Sequence, residues 1–181
     1  LHGDGGNGAA MRAALPLEAR ASSGAVFVYP DAPDGSFEYW SDAGRSREVI
    51  FVTDVIAAMQ AEFGIDTQRV YVAGFSGGAT MANALGCRLG AGVIRGLGIN
   101  SGSLYPVNGD FDYTADGGVS CALPSAIIVW GMADTTPGVD FATGEAIRDN
   151  FRQTLGCDAS ATAWPPAPPC VAYEHCARAL D

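Results

Sequence analysis

The stretch RVYVAGFSGGATMANAL, residues 69–85, changes character in its middle. Its first seven residues form a nearly continuous Val-rich run, the pattern of a strand covered on both faces. From Gly77 onward Ala, Met and Leu dominate, as in a helix. Between the two stands Gly74-Phe75-Ser76-Gly77-Gly78, a G-x-S-x-G. A chain that turns from strand directly into helix forces the central residue into a strained conformation, and small residues two before and two after it prevent clashes. In a chain with 24 glycines the pattern alone is weak; its place between strand and helix makes it specific. Such a turn aims Ser76 Oγ into solvent at the sheet edge. It also leaves the Gly77 N–H unpaired at a helix start, where it can stabilise an oxyanion. The bland alternative is a glycine-rich turn with an incidental serine.

Three more apolar runs read as buried strands: 25–30, 93–100 and 125–131. Helical patterns lie between them, over 9–21, 46–63, 77–90 and 143–155. In 46–63, Val49, Val52, Ile56 and Met59 share a stripe and Gly64 is the expected stop; Gly156 plays that part for 143–155. Strand alternating with helix predicts an α/β sheet.

The totals bound the function. At 181 residues the chain suits one domain with a substantial core, and no apolar run of 18 residues predicts a membrane span. A net charge of -10 argues against nucleic acid or an anionic membrane as partner. Five cysteines without a C-x-x-C pair, and only two histidines, argue against zinc and for a disulfide-stapled, exported protein. The odd count leaves one cysteine whose partner is open. The pairing itself is also left open.

In an open α/β sheet, ligands gather at the carboxyl ends of the strands. Asp134 follows the run 125–131 and could orient a catalytic imidazole; its alternative is a loop Asp capping a turn, and Asp140 is the reserve carboxylate. The opening LHGDGGNG, residues 1–8, has two readings. Gly3, Gly5 and Gly8 fit a dinucleotide cradle, with Asp31 as its acidic residue. The same letters fit a loop that supplies an oxyanion donor, from the N–H of Asp4 or Gly5, with His2 as its brace. Given Ser76 and Asp134, the second reading is preferred, and the chemistry needs neither cofactor nor metal. Substrate contacts are expected from His2, Gly5, Trp40 and Phe75; Phe37 and Tyr39 could join Trp40 in an aromatic wall, or all three could be loop packing. His175 follows Asp134 in the order a triad requires, but neither a strand run nor a glycine loop flanks it.

Together these residues resemble a family of secreted esterases that includes poly(3-hydroxybutyrate) depolymerases, feruloyl esterases and acetyl xylan esterases. The resemblance covers nearly the whole chain: LHGDGGNG, VFVYPDAPDG with the following Trp40, FGIDTQRVYVAGFSGGATMANALGC, WGMADTTP and CVAYEHC each match a family segment. Two departures stand out. Trp130 occupies a position where His is common, and Arg47-Glu48 replaces a usual acidic pair. The resemblance implies a three-layer α/β-hydrolase sandwich with a mostly parallel sheet, truncated at both ends, so that 1–181 is a single incomplete catalytic domain. It further implies a triad of Ser76, Asp134 and a histidine in a glycine-flanked loop beyond Asp181, near which a family cysteine would partner the odd one here.

The implied activity is serine carboxylic-ester hydrolysis through an acyl-enzyme, on plant-polysaccharide esters or a polyester, by a monomeric secreted protein with no nucleic-acid or membrane partner. Ser76 would attack, with Gly77 and Asp4 as oxyanion donors. The competing readings are a non-catalytic binding module on the same scaffold and a dinucleotide-dependent oxidoreductase.

Overall fold

A computed structural model describes residues 1–21, 24–103 and 121–177. The order is α1 (Gly8–Ala14), a single 3-10 turn (Leu17–Ala19), α2 (Asp42–Phe63), β1 (Tyr71–Phe75), α3 (Gly77–Leu89), β2 (Gly96–Asn100), β3 (Ser125–Val129), α4 (Phe141–Leu155), and the short strands β4 (Thr162–Ala163) and β5 (Val171–Ala172). Caps set the helix limits. Ser41 accepts from the Gly44 N–H to start α2, Asp140 does the same from Thr143 to start α4, and Gly64 and Gly156 stop them in the left-handed conformation. The half-buried stripe of α2 is the expected one, Val49, Val52, Ile56 and Met59.

β1, β2 and β3 form a parallel sheet in the order β1-β2-β3, with Phe75, Asn100 and Val129 level at one end. The loops that leave these three residues therefore share the carboxyl edge, and β1 lies about 10 Å from β3 at the usual strand spacing. α3 is the central helix. It packs on β1 and β2, and Gly77 through Cys87 are all buried, with Met81, Ala82 and Leu85 fully so. α4 adds Ile147, Phe151 and Leu155 to the same core as Leu97 and Ile99. α2 lies on α3 and is tied to it by Arg88, which pairs with Asp42 and donates to Ser46 Oγ at 3.0 Å.

One expectation meets a different outcome. Residues 25–30 have the composition of a strand but join no ladder. A strand needs a partner, and the outer edge of β1 is taken by Leu1, whose carbonyl accepts the Phe75 N–H at 3.2 Å. The α/β class and parallel sheet are as expected, but among the described residues α3 and α4 cover one sheet face. The other face leaves Tyr71 and Ile127 exposed, at 67% and 59%.

Disulfides join Cys87 at the end of α3 to Cys121 before β3, and Cys157 after α4 to Cys176 after β5; Cys170 is unpaired and exposed. Among the described residues, no helix is long and apolar enough to cross a membrane. The Cys87–Cys121 bond spans 34 residues, so replacing both by Ala is expected to lower the unfolding free energy by about 4 kcal/mol in urea denaturation under oxidising conditions. A loss below about 1 kcal/mol would show that the bond adds little to the α3–β3 packing.

Candidate active site

Ser76 stands between β1 and α3 with φ 53 and ψ −124, a conformation that a non-glycine residue adopts only under constraint. The constraint is the closeness of strand and helix. A Cβ on Gly74 would overlap the Gly78 carbonyl, and a Cβ on Gly78 would overlap the carbonyls of Leu1 and His2. The expected function of the flanking glycines is thus visible as contact. The Ser76 N–H is tied to Asn100 O at 2.9 Å, and its carbonyl accepts the Ala79 and Thr80 N–H groups at 2.9 and 3.0 Å. Thr80 Oγ1 in turn takes the Ser103 N–H at 2.8 Å, which joins the loop after β2 to the elbow.

The opening loop lies against this elbow. A Cβ on Gly3 would come within 3.2 Å of Ser76 Cβ, and the Asp4 carboxylate occupies the space beside Gly77 where a side chain would be. Among the described residues, the N–H groups of Gly77 and Asp4 have no acceptor, whereas the Gly5 N–H is given to Gly35 O at 2.8 Å. Of the two loop donors considered from sequence, Asp4 is the one left available, and Gly5 lies exposed at the loop tip.

His2 is buried and fully engaged. Its Nε2 accepts the Ala32 N–H at 3.0 Å, so the proton sits on Nδ1, which donates to Gly3 O at 2.8 Å. The ring braces the loop and reaches solvent with neither nitrogen. Tyr39 completes the support: its hydroxyl donates to Asp4 Oδ2 at 2.7 Å, and burial, reinforced by this bond, pushes its pKa above the usual phenol value. Trp40 packs edge-on against Tyr39, 5.2 Å between ring centres, and it and Phe75 are about half exposed. Residue type could suggest an aromatic wall; nothing local in the sequence signals the Tyr39–Asp4 bond across 35 positions.

Asp134 follows β3 on the same sheet edge as Ser76. Its backbone closes the loop, donating to Gly131 O at 3.0 Å and accepting from Phe141 at 3.2 Å. Its Oδ1 accepts the Thr136 N–H at 3.0 Å, the capping bond considered above, while Oδ2 has no partner among the described residues. Asp140 is committed as the α4 cap, with Oδ1 accepting from Thr143 N and Oγ1; those bonds hold its pKa below the usual carboxylate value. Trp130 is anchored by Nε1–H to Val139 O at 2.8 Å and packs on Gly144.

His175 lies elsewhere. α4 starts at the carboxyl edge and runs back for 15 residues, about 22 Å. The Cys157–Cys176 bond then holds His175 at the far end. It is exposed and paired with Asp158, Nδ1 to Oδ2 at 2.8 Å. The dinucleotide reading also fails at its anion site. The Gly8 N–H at the start of α1 is already bound by Asp31 Oδ1 at 2.6 Å, and the Ala10 N–H by Asn7 Oδ1 at 2.8 Å. A carboxylate fills the place a phosphate would need. A cleft of ≈ 260 Å³ between residues 31–38 and α2, lined by Asp31, Asp34, Glu38, Glu48, Arg47 and Phe51 among others, includes no elbow residue.

The carboxyl edge of the parallel sheet thus carries a strained serine at a strand–helix elbow and a carboxylate after a later strand. No family model matches the sequence. A probable feruloyl esterase C from Aspergillus clavatus is 27% identical over 174 residues, 92% of this chain and 58% of that protein. Feruloyl esterase C from Emericella nidulans is 31% identical over 110 residues, 58% of this chain and 39% of that protein. The chain thus spans about half the length of the curated relatives it matches. In fold it is similar to an acetyl xylan esterase from Aspergillus awamori, with TM-score 0.70 at 16% identity over 91% of this chain and 73% of that one. Esterase PE8 gives 0.64 at 19% identity over 84% and 74%. The chain is thus similar in sequence to feruloyl esterase C over part of that protein's length, and similar in fold to solved esterases.

The Asp158 bond raises the His175 pKa. Because the fold favours the protonated ring, the pair's contribution is complete below the ordinary imidazole pKa and is lost as pH rises through the raised value. Proton NMR, with two imidazoles to assign, is expected to show His175 titrating high and returning towards the ordinary value in Asp158→Asn. A His175 that titrates alike in both proteins would contradict the pairing.

Proposed function

We propose that the protein is a serine carboxylic-ester hydrolase with Ser76 as nucleophile. The observation that carries this reading is the strained Ser76 with two main-chain N–H groups that have no acceptor among the described residues, Gly77 next to it and Asp4 in the loop that lies against it. Ser76 Oγ attacks the ester carbonyl and passes its proton to an imidazole. The carbonyl oxygen, now an anion, is received by the two N–H groups, each worth on the order of 3 kcal/mol of barrier. The imidazole returns the proton to the departing alcohol as its C–O bond breaks, leaving an acyl-enzyme, and water repeats the sequence to release the acid. Asp134, whose Oδ2 has no partner among the described residues, orients the imidazole.

Both histidines hold other partners, His2 within the opening loop and His175 on Asp158, so on this reading neither is the base. The same observation favours one second reading, a non-catalytic binding module on the hydrolase scaffold. The names of the feruloyl esterase C relatives and of the acetyl xylan esterase support feruloyl or acetyl esters of plant polysaccharide as substrates, ahead of a polyester. The exposed Trp40 and Phe75 supply apolar surface for an acyl group. Two disulfides support secretion. His2 and Gly5 serve the substrate through the loop they hold.

The test is covalent labelling of the full-length protein with a fluorophosphonate, followed by peptide mapping. The adduct is expected on Ser76, with Ser76→Ala lowering hydrolysis of methyl ferulate or acetylated xylan by at least about 10³-fold. Labelling elsewhere would overturn the assignment, and no labelling at all would favour the binding module.

A further inference from the structure

Segment 32–39 holds the opening loop at three points: Ala32 N–H to the His2 ring, Gly35 O to the Gly5 N–H, and the Tyr39 hydroxyl to the Asp4 carboxylate. The third differs from the others because it acts on Asp4, the residue whose N–H the esterase reading makes an oxyanion donor. Asp4 also brings a negative charge to the place where negative charge develops. Its carboxylate lies against Gly77, near enough that a Cβ there would overlap Oδ1, Cγ and Oδ2. Asp4 is exposed, so water screens its charge in part, but like charges brought close still repel, and a hydrogen bond to a carboxylate both draws off charge and fixes its direction. Among the described residues the Tyr39 hydroxyl is the side-chain partner of that carboxylate, at 2.7 Å, and no ion pair to it is formed. The Tyr39 ring is itself held by Trp40, and its carbonyl accepts from the buried Arg45 Nη1 at 2.9 Å, so the hydroxyl is presented from a fixed base.

We propose that Tyr39 is a positioning residue for the oxyanion hole: its hydroxyl holds the Asp4 carboxylate against Gly77, sets the Asp4 N–H beside the Gly77 N–H, and keeps the carboxylate's charge turned from the reacting carbonyl. Tyr39 touches neither substrate nor nucleophile and acts through Asp4. The proposal rests on the esterase reading of Ser76. It explains why Gly77 has no side chain: the Asp4 carboxylate fills that space.

The experiment compares the full-length parent, Tyr39→Phe and the double variant Tyr39→Phe/Asp4→Asn, with p-nitrophenyl acetate as substrate and the parent first labelled at Ser76. Tyr39→Phe keeps the ring and its packing but frees the carboxylate. Its kcat is expected to fall about tenfold with KM within about twofold, the mark of an interaction lost in the transition state. Adding Asp4→Asn removes the charge and is expected to restore most of kcat. A packing defect would persist in the double variant, which carries the same Tyr39 substitution. A Tyr39→Phe protein with parental kcat, or a loss that Asp4→Asn does not relieve, would overturn the role of Tyr39 while leaving the esterase reading intact. A parent that is not labelled at Ser76 would overturn the esterase reading and this role with it.

Discussion

Ser76 is held at φ 53 because β1 and α3 meet with almost no chain between them. That closeness requires Gly74 and Gly78 to present bare backbone to each other. The cost of such a conformation, on the order of 1–3 kcal/mol, is offset by burial around it. α3 is buried along nearly its whole length, β1 is fixed by β2, and the Ser76 N–H is spent on Asn100 O. A looser core would let the serine relax and would turn its hydroxyl from the sheet edge. The small residues of α3 are therefore part of the site as much as of the packing: Gly86 admits Leu97, and Ala79 admits Gly102 of the loop after β2.

The second wall depends on the first. The Gly78 backbone leaves room for the carbonyls of Leu1 and His2, and this contact seats the opening loop on the elbow. From there the loop is held by segment 32–39 through one imidazole, one carbonyl and one phenol. His2 shows how a histidine close to the elbow serine can be kept from proton transfer. Once Ala32 donates to Nε2 and Nδ1 donates to Gly3, the ring is a strut. On the proposed reading, the acidic Asp4 side chain is tolerated beside an oxyanion site because Tyr39 fixes it.

What could be read from the sequence was what is local. Gly74-x-Ser76-x-Gly78 and the stops at Gly64 and Gly156 depend on backbone conformations that a few adjacent residues dictate, and they were legible. So were β1, β2 and β3, whose Val- and Ile-rich runs find partners in one sheet. Residues 25–30 carry the same composition without a ladder partner, and composition alone cannot say which runs will pair. Disulfide partners, the pairing of His175 with Asp158, and the bond from Tyr39 to Asp4 join positions 17 to 35 apart, with no periodic or motif signal. The carboxylate at Asp134 was visible as a residue after a strand. Its half-occupied state, one oxygen on Thr136 and one without a partner among the described residues, was not.

On the proposed reading, two main-chain N–H groups, from Gly77 and Asp4, receive the oxygen that forms when Ser76 attacks. A crystal structure of the full-length protein carrying a phosphonate adduct measures this directly. The account predicts phosphorus bonded to Ser76 Oγ and one phosphonyl oxygen within about 3 Å of both nitrogens. An adduct oxygen turned to solvent, or received by other donors while the Asp4 and Gly77 N–H groups stay unpaired, would contradict it.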